Sequence, residues 1–228
     1  MRFILLLFVL AVSQVLKAEE TRILSDFQEV SAAAGIHVIL IKSSETKANV
    51  EIENGDVEEV ITEVKDSRLK IRFDDRNKWH GNNRHRKAKV TIYYRSINVI
   101  HVSSGANLEA QNIIESESLA LRGSSGGRMD IQVSSSELSI DISSGGILDV
   151  EGGTSSLQVD VSSGGILHGE DLHAQNVQAD ASSGGMATFS VSDALDANAS
   201  SGGRIRYYGQ PAKIRNHASS AGSIKEKV

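Results

Sequence analysis

From Leu148 onward, apolar and polar positions alternate. Leu148 and Val150 share one parity, and Glu151-Gly152-Gly153-Thr154 interrupts the run. Leu157, Val159 and Val161 resume it, and Ser162-Ser163-Gly164-Gly165 ends it. Period two punctuated by glycine predicts a pair of half-buried strands joined by turns. The phase recurs before neighbouring Ser-Ser pairs as Leu138/Ile140/Ile142, Val177/Ala179/Ala181 and Leu195/Ala197/Ala199. It recurs after them as Leu108/Ala110, Met129/Ile131, Ile205/Tyr207 and Ile224. The Ser-Ser pairs that lead into a Gly or Ala-Gly corner open at Ser103, Ser124, Ser143, Ser162, Ser182, Ser200 and Ser219, in steps of 21, 19, 19, 20, 18 and 19 residues. A step this regular means that one structural unit is being reused.

A strand pair of this size cannot bury its apolar face alone. Stacking coils about 4.8 Å apart pairs each strand with its equivalents above and below. The expected fold is all-β: a parallel β-solenoid of about seven short coils over residues 96–228, with a β-rich capping region at 19–95. Inward Ala181, Ala199 and Ala218 suggest a core that narrows toward the C-terminal end.

Each coil then turns at a serine-glycine corner. The corner serines are Ser104, Ser125, Ser144, Ser163, Ser183, Ser201 and Ser220, followed by Gly126, Gly145, Gly164, Gly184 and Gly202 in the corners that keep a glycine pair. Counting by twos from Leu157 puts Ser163 on the inner face, so the second serine of each corner is expected to point inward and pair its hydroxyl. The glycines accept unusual dihedrals and let coils approach closely. Gly105-Ala106 and Ala221-Gly222, the first and last corners, lack the pair, as terminal repeats often do.

Ahead of the repeats, Ile36–Ile41, Lys47–Glu53, Leu69–Phe73 and Val90–Tyr94 have strand character. Asp56 to Val64 places Val57, Val60, Ile61 and Val64 at helical spacing, and a short helix capped by Asp56 is expected there. Residues 76–89 concentrate Arg76, Lys78, Arg84, Arg86, Lys87 and Lys89 around Trp79, His80 and His85. This basic hairpin is either an adhesive finger for an anionic surface, with Trp79 stacking on a sugar, or a solvated tip that turns at Gly81-Asn82-Asn83.

Composition narrows the class. Met1-Arg2 and the apolar run Phe3–Val12 read as a secretory signal peptide cleaved after Ala18, since a membrane span needs about 20 apolar residues. Residues 1–18 are therefore expected to be removed, and export leaves the periplasm, the cell surface or the medium as destinations. With no cysteine, the exported chain is braced by stacking and not by disulfides. Residues 19–95 carry 14 charges of each sign, whereas 96–228 carry 8 basic and 15 acidic residues. An acidic solenoid argues against nucleic-acid binding, which needs a basic stripe.

Asp26-Phe27-Gln28-Glu29-Val30, Gly35-Ile36-His37-Val38, Asp66-Ser67-Arg68-Leu69-Lys70-Ile71 and His101-Val102-Ser103-Ser104-Gly105-Ala106, followed by the Ser-Ser-Gly-Gly repeats, resemble the putative auto-transporter adhesin, head GIN domain family. The resemblance covers the chain from about residue 25. It implies a bacterial, exported, right-handed parallel β-helix with a shape similar to pectin-lyase-like folds and a role in cell adhesion. It supplies no catalytic residues. Arg95-Ser96 stands where the family often has a proline.

Three chemistries compete on the outer face. The position two before each first serine reads His101, Arg122, Asp141, Asp160, Asp180, Asn198 and His217. Asp141, Asp160 and Asp180 would stack into a carboxylate ladder, either a Ca²⁺ site or a solubilising polar face. His168-Gly169-Glu170-Asp171-Leu172-His173, placed in an interstrand loop, offers weak zinc-type ligands. Catalysis has little support: a nucleophilic serine is singular and paired with a base, whereas seven equivalent serines indicate scaffolding. No cofactor is called for. The expected role is a non-enzymatic adhesin contacting a surface glycan or envelope component; the alternative is a polysaccharide-active lyase or hydrolase.

Overall fold

A computed structural model describes residues 17–74, 86–219 and 221–227. The strands, in chain order, are β1 (Lys17–Ile23), β2 (Glu29–Ala32), β3 (His37–Lys42), β4 (Lys47–Glu53), β5 (Val60–Lys65), β6 (Arg68–Phe73), β7 (Lys87–Tyr94), β8 (Val99–Val102) and β9 (Asn107–Ala110). They continue as β10 (Ile114–Gly123), β11 (Arg128–Ile142), β12 (Ile147–Val161), β13 (Ile166–Ala181), β14 (Met186–Ala199), β15 (Arg204–Tyr208), β16 (Lys213–Ala218) and β17 (Ser223–Lys227). All belong to one curled sheet. From β8 and β9 to β16 and β17 every pairing is parallel, which makes a β-solenoid of about seven turns.

The apolar columns lie where alternation puts them. Ile140, Val159, Ala179 and Ala197 are in register and buried, as are Met129, Leu148, Leu167, Ala187 and Ile205. Ala181 and Ala199 are buried, but small residues are not the whole of the C-terminal core. Phe189 is fully buried in register with Gly169 and Tyr207, so large aromatics accompany the alanines. Ala218 is exposed, because its strand pairs on one side only among the described residues.

The break expected at 151–154 is a bend inside one continuous strand. Gly152 takes φ 116, and a Cβ there would lie 2.0 Å from the Val133 carbonyl oxygen. Likewise residues 168–173 are part of β13, with a register irregularity against β14, and are not a loop.

The corners differ from expectation in an informative way. Ser163 does not point inward. It is exposed, at φ 49, and Gly164 follows at φ 72. Two consecutive residues at positive φ, with the Gly165 N–H donating to the Ser162 carbonyl at 2.8 Å, define a type I′ turn. The turn interrupts the alternation, so counting by twos across it fails. Ser104, Ser125, Ser144, Ser183 and Ser201 share this left-handed conformation, and Ser220 lies outside the described residues. The two glycines serve separate ends. Gly164 supplies positive φ and has open space where a Cβ would be. Gly165 has no positive φ to supply; a Cβ there would meet the Ile142 carbonyl oxygen of the preceding coil at 2.7 Å.

Backbone bonds tie each corner to its neighbours. Ser162 N–H donates back to the Ile142 carbonyl at 2.9 Å, and Gly164 N–H donates forward to the Ser183 carbonyl at 3.2 Å. The forward bond repeats from Gly105 to Ser125, Gly126 to Ser144, Gly145 to Ser163 and Gly184 to Ser201.

The same bond joins Gly35 to Ser104 at 3.0 Å, and Ala34 and Gly35 are both at positive φ. Ala33-Ala34-Gly35-Ile36 is thus a further corner, and β2 and β3 form a coil that stacks directly on β8 and β9. On its other side lie β6 and β7, and beyond them β5, β4 and β1 close the N-terminal end with antiparallel pairs. The helix expected over Asp56–Val64 is a single 3₁₀ turn at Val57–Glu59 followed by strand β5. Its β-branched residues suit a strand, and the tight turn at Asp66 and Ser67, both at positive φ, folds β5 onto β6.

The two glycine roles predict unequal costs. Gly164→Ala should lose about 1–2 kcal/mol, the usual left-handed penalty. Gly165→Ala should lose more, about 3 kcal/mol, because its Cβ meets backbone that cannot move aside. Urea unfolding of the two variants measures the order; equal costs would contradict it.

Candidate functional site

Register fixes what the outer face displays. One column runs Lys70, Ser31, His101, Arg122, Asp141, Asp160, Asp180, Asn198 and His217. The carboxylate ladder therefore exists, with Asp141, Asp160 and Asp180 directly adjacent. Burial first, and then the Asp141 and Asp180 carboxylates, push the Asp160 carboxyl above its ordinary range. Among the described residues, no group of three or more His, Asp or Glu side chains is arranged to hold a metal ion, and that includes this ladder and residues 168–173.

The basic segment is divided. Arg76, Lys78, Trp79 and Arg84 lie outside the described residues. Arg86 is no part of a finger: its guanidinium pairs with the Glu59 carboxylate and sits 4.4 Å from the Phe73 ring centroid. Lys87 and Lys89 belong to β7, and Lys89 Nζ is 3.5 Å from Glu51 Oε1. The strands that flank the segment do not pair with each other: β6 pairs with β2 and β5, and β7 with β3 and β4.

Two open grooves flank the bend of the C-terminal coils. One, of about 830 Å³, is lined by Thr154, His173, Gln175, Ser190, Tyr208 and Gln210, among others. The other, of about 750 Å³, gathers Gln158, Asn176, Gln178, Asp196 and Arg215 beside Ile214, which is exposed. Hydroxyl and amide side chains that both donate and accept suit a hydroxyl-rich polymer. Apart from Thr154 and His173, these residues belong to no motif marked in the sequence. The signal that could have found them is the recurrence of Gln158, Gln178 and Asp196 at one coil register.

A family model described as putative auto-transporter adhesin, head GIN domain, matches residues 26–211. The chain belongs to that family. Solved structures share the fold. A putative adhesin from Bacteroides fragilis has 21% identity and a TM-score of 0.78, over 92% of this chain and 97% of its own. A putative lipid binding protein from Parabacteroides distasonis has 18% identity and a TM-score of 0.70, over 93% and 97%. A putative adhesin from Parabacteroides merdae has 16% identity and a TM-score of 0.70, over 93% and 96%. No curated protein matches the chain.

The ladder and the Arg86 pair each yield a measurable effect. A carboxyl raised in the folded state binds more protons there than in the unfolded chain. Its ionisation therefore costs stability as pH rises from the ordinary carboxylate range through its raised value. Asp160→Asn should stabilise the protein at neutral pH by about a few tenths of a kcal/mol, since the site is mostly exposed. The gain should vanish below the ordinary carboxylate range, as thermal melts across pH would show. Arg86→Ala should cost about 2 kcal/mol by leaving Glu59 unpaired, read from urea denaturation.

Proposed function

We propose that the protein is an exported, non-enzymatic attachment module that contacts a surface glycan or envelope component through the outer faces of its coils. The observation that carries this is the stacking of outer positions coil on coil, which sets Gln158 beside Gln178 and Ser156 beside Asn176 in one groove, next to a second groove lined by hydroxyls and amides. An extended ligand with a short repeat can make the same contact at each step. Family membership supports adhesion, and the apolar run Phe3–Val12 supports export.

The enzymatic alternative would draw on the ladder. Glycoside hydrolysis needs one carboxyl as acid and another as base or nucleophile at a set separation. Asp141, Asp160 and Asp180 are instead stacked at one register, and the Asp160 carboxyl is raised by burial and by both neighbours.

The test uses residues 19–228 on a glycan array and on cell surfaces, beside assays for reducing ends and unsaturated products with acidic polysaccharides. Binding without turnover is expected. Gln158→Ala with Gln178→Ala should weaken glycan binding about fivefold or more, as two lost hydrogen bonds would. Turnover that disappears in Asp160→Ala would reverse the choice, and absence of any glycan or cell binding would end the attachment reading.

A further inference from the structure

Charge is segregated along the solenoid. Residues 129–203 contain 11 Asp and Glu and no Lys or Arg, whereas 204–227 contain Arg204, Arg206, Lys213, Arg215, Lys225 and Lys227 against one acid, Glu226. Among the described residues, several cations elsewhere are committed to partners: Arg22 to Glu20, Lys42 to Glu115, Arg68 to Glu29, Arg95 to Asp26 and Arg128 to Asp149. None of the six C-terminal cations makes an ion pair among the described residues, and Arg204 reaches only the Met186 sulfur at 3.9 Å.

Four of the six share one face. β15 and β17 are parallel and set Arg206 beside Lys225 and Tyr208 beside Lys227, with Arg204 one step along the same face. Neighbouring strands are about 4.8 Å apart and same-face residues about 6.7 Å apart along a strand, so these cations repel one another. Arg204, Arg206, Lys225 and Lys227 are exposed, and Tyr208 is half-buried. Arg204, Arg206, Ser223 and Lys225 also line a shallow hollow of about 250 Å³.

Protection of an open sheet edge by lysine and arginine explains only part of this. It suits β17, which among the described residues pairs only with β15. It does not suit Arg204 and Arg206, because β15 is flanked on both sides, by β14 and β17.

We propose that this cationic face binds a polyanion, and specifically an acidic polysaccharide. The proposal rests on the attachment reading above and names the ligand class for one end of the solenoid. Tyr208 joins the strip to the hydroxyl- and amide-lined groove through Ser190 and Gln210. A sugar chain can therefore keep its hydroxyls in the groove and its acidic groups over Arg206 and Lys225. Among the described residues, the strip carries no exposed apolar side chain to insert among lipid tails, which separates it from a membrane-binding face.

The probes are polygalacturonate and dextran sulfate, with neutral dextran and phosphatidylglycerol vesicles as comparisons, against immobilised residues 19–228. Polygalacturonate and dextran sulfate should bind, and raising NaCl from about 0.05 M to about 0.5 M should weaken both. The triple variant Arg204→Ser, Arg206→Ser, Lys225→Ser should lose about tenfold or more in affinity. Replacing Lys47, Lys65 and Lys70 by Ser removes equal charge from the N-terminal part and should change little. If the triple variant fails to fold, Lys225→Glu alone carries the same test. Unchanged affinity in the variant, or no binding of either polyanion, overturns the proposal. Preference for the lipid vesicles overturns it as well, as does a salt-sensitive dimer that the variant abolishes, which would make the acidic coils of a second copy the occupant. Cell binding that survives in the variant would remove the strip and leave attachment standing; its absence from the unaltered chain would remove attachment itself.

Discussion

The coils depend on a tight corner that turns through two consecutive residues at positive φ. Ser163 and Gly164 both sit at positive φ, and Gly165 packs against the Ile142 carbonyl with no space for a side chain. These constraints bring the forward bond from Gly164 to Ser183 and the backward bond from Ser162 to Ile142 within reach. The corner is therefore fastened to both neighbours by backbone groups alone. Serine at φ 49 is conformationally costly, and the bonds to adjacent coils offset that cost. The result is a rigid step that sets the register of the next coil.

Register then decides the surface. Slippage by one residue would turn Val159 outward and Asp160 inward. With register locked, like residues align without any one of them being placed individually. That gives the ladder of Asp141, Asp160 and Asp180 its self-repulsion and the Gln158 and Gln178 groove its repeat. The cationic face at Arg206 and Lys225 has the same origin. A surface made of columns suits a partner that is itself repetitive, and grades of charge along the solenoid give such a partner a direction.

Much of the fold is legible in the sequence because burial and the strand period coincide there. The strands, the inner columns and the outward aspartates follow from alternation between corners. Counting fails where it crosses a corner, as at Ser163, because a type I′ turn does not preserve the pleat. It fails too at Ala33-Ala34-Gly35-Ile36, where the same turn is built without the serines that marked it. Val57 to Val64 show a different limit: valines at helical spacing pair as a strand once Asp66 and Ser67 turn the chain back. The candidate sites were less legible. Arg86 looks like part of a solvated run, yet Glu59, which holds it, lies 27 residues away. The C-terminal cations gain meaning only when β15 and β17 are seen to set them side by side.

Amide hydrogen exchange at the corners tests the central claim most directly. In an isolated turn the two central N–H groups face water and exchange quickly. Here Gly126, Gly145, Gly164 and Gly184 lie in turns, and each N–H is bonded to the next coil. The account predicts that these glycine amides are protected as strongly as the strand amides of Val159, while the amide of Ser163 in the same turn exchanges fast. Fast exchange at the glycines, with protection confined to the strands, would contradict it.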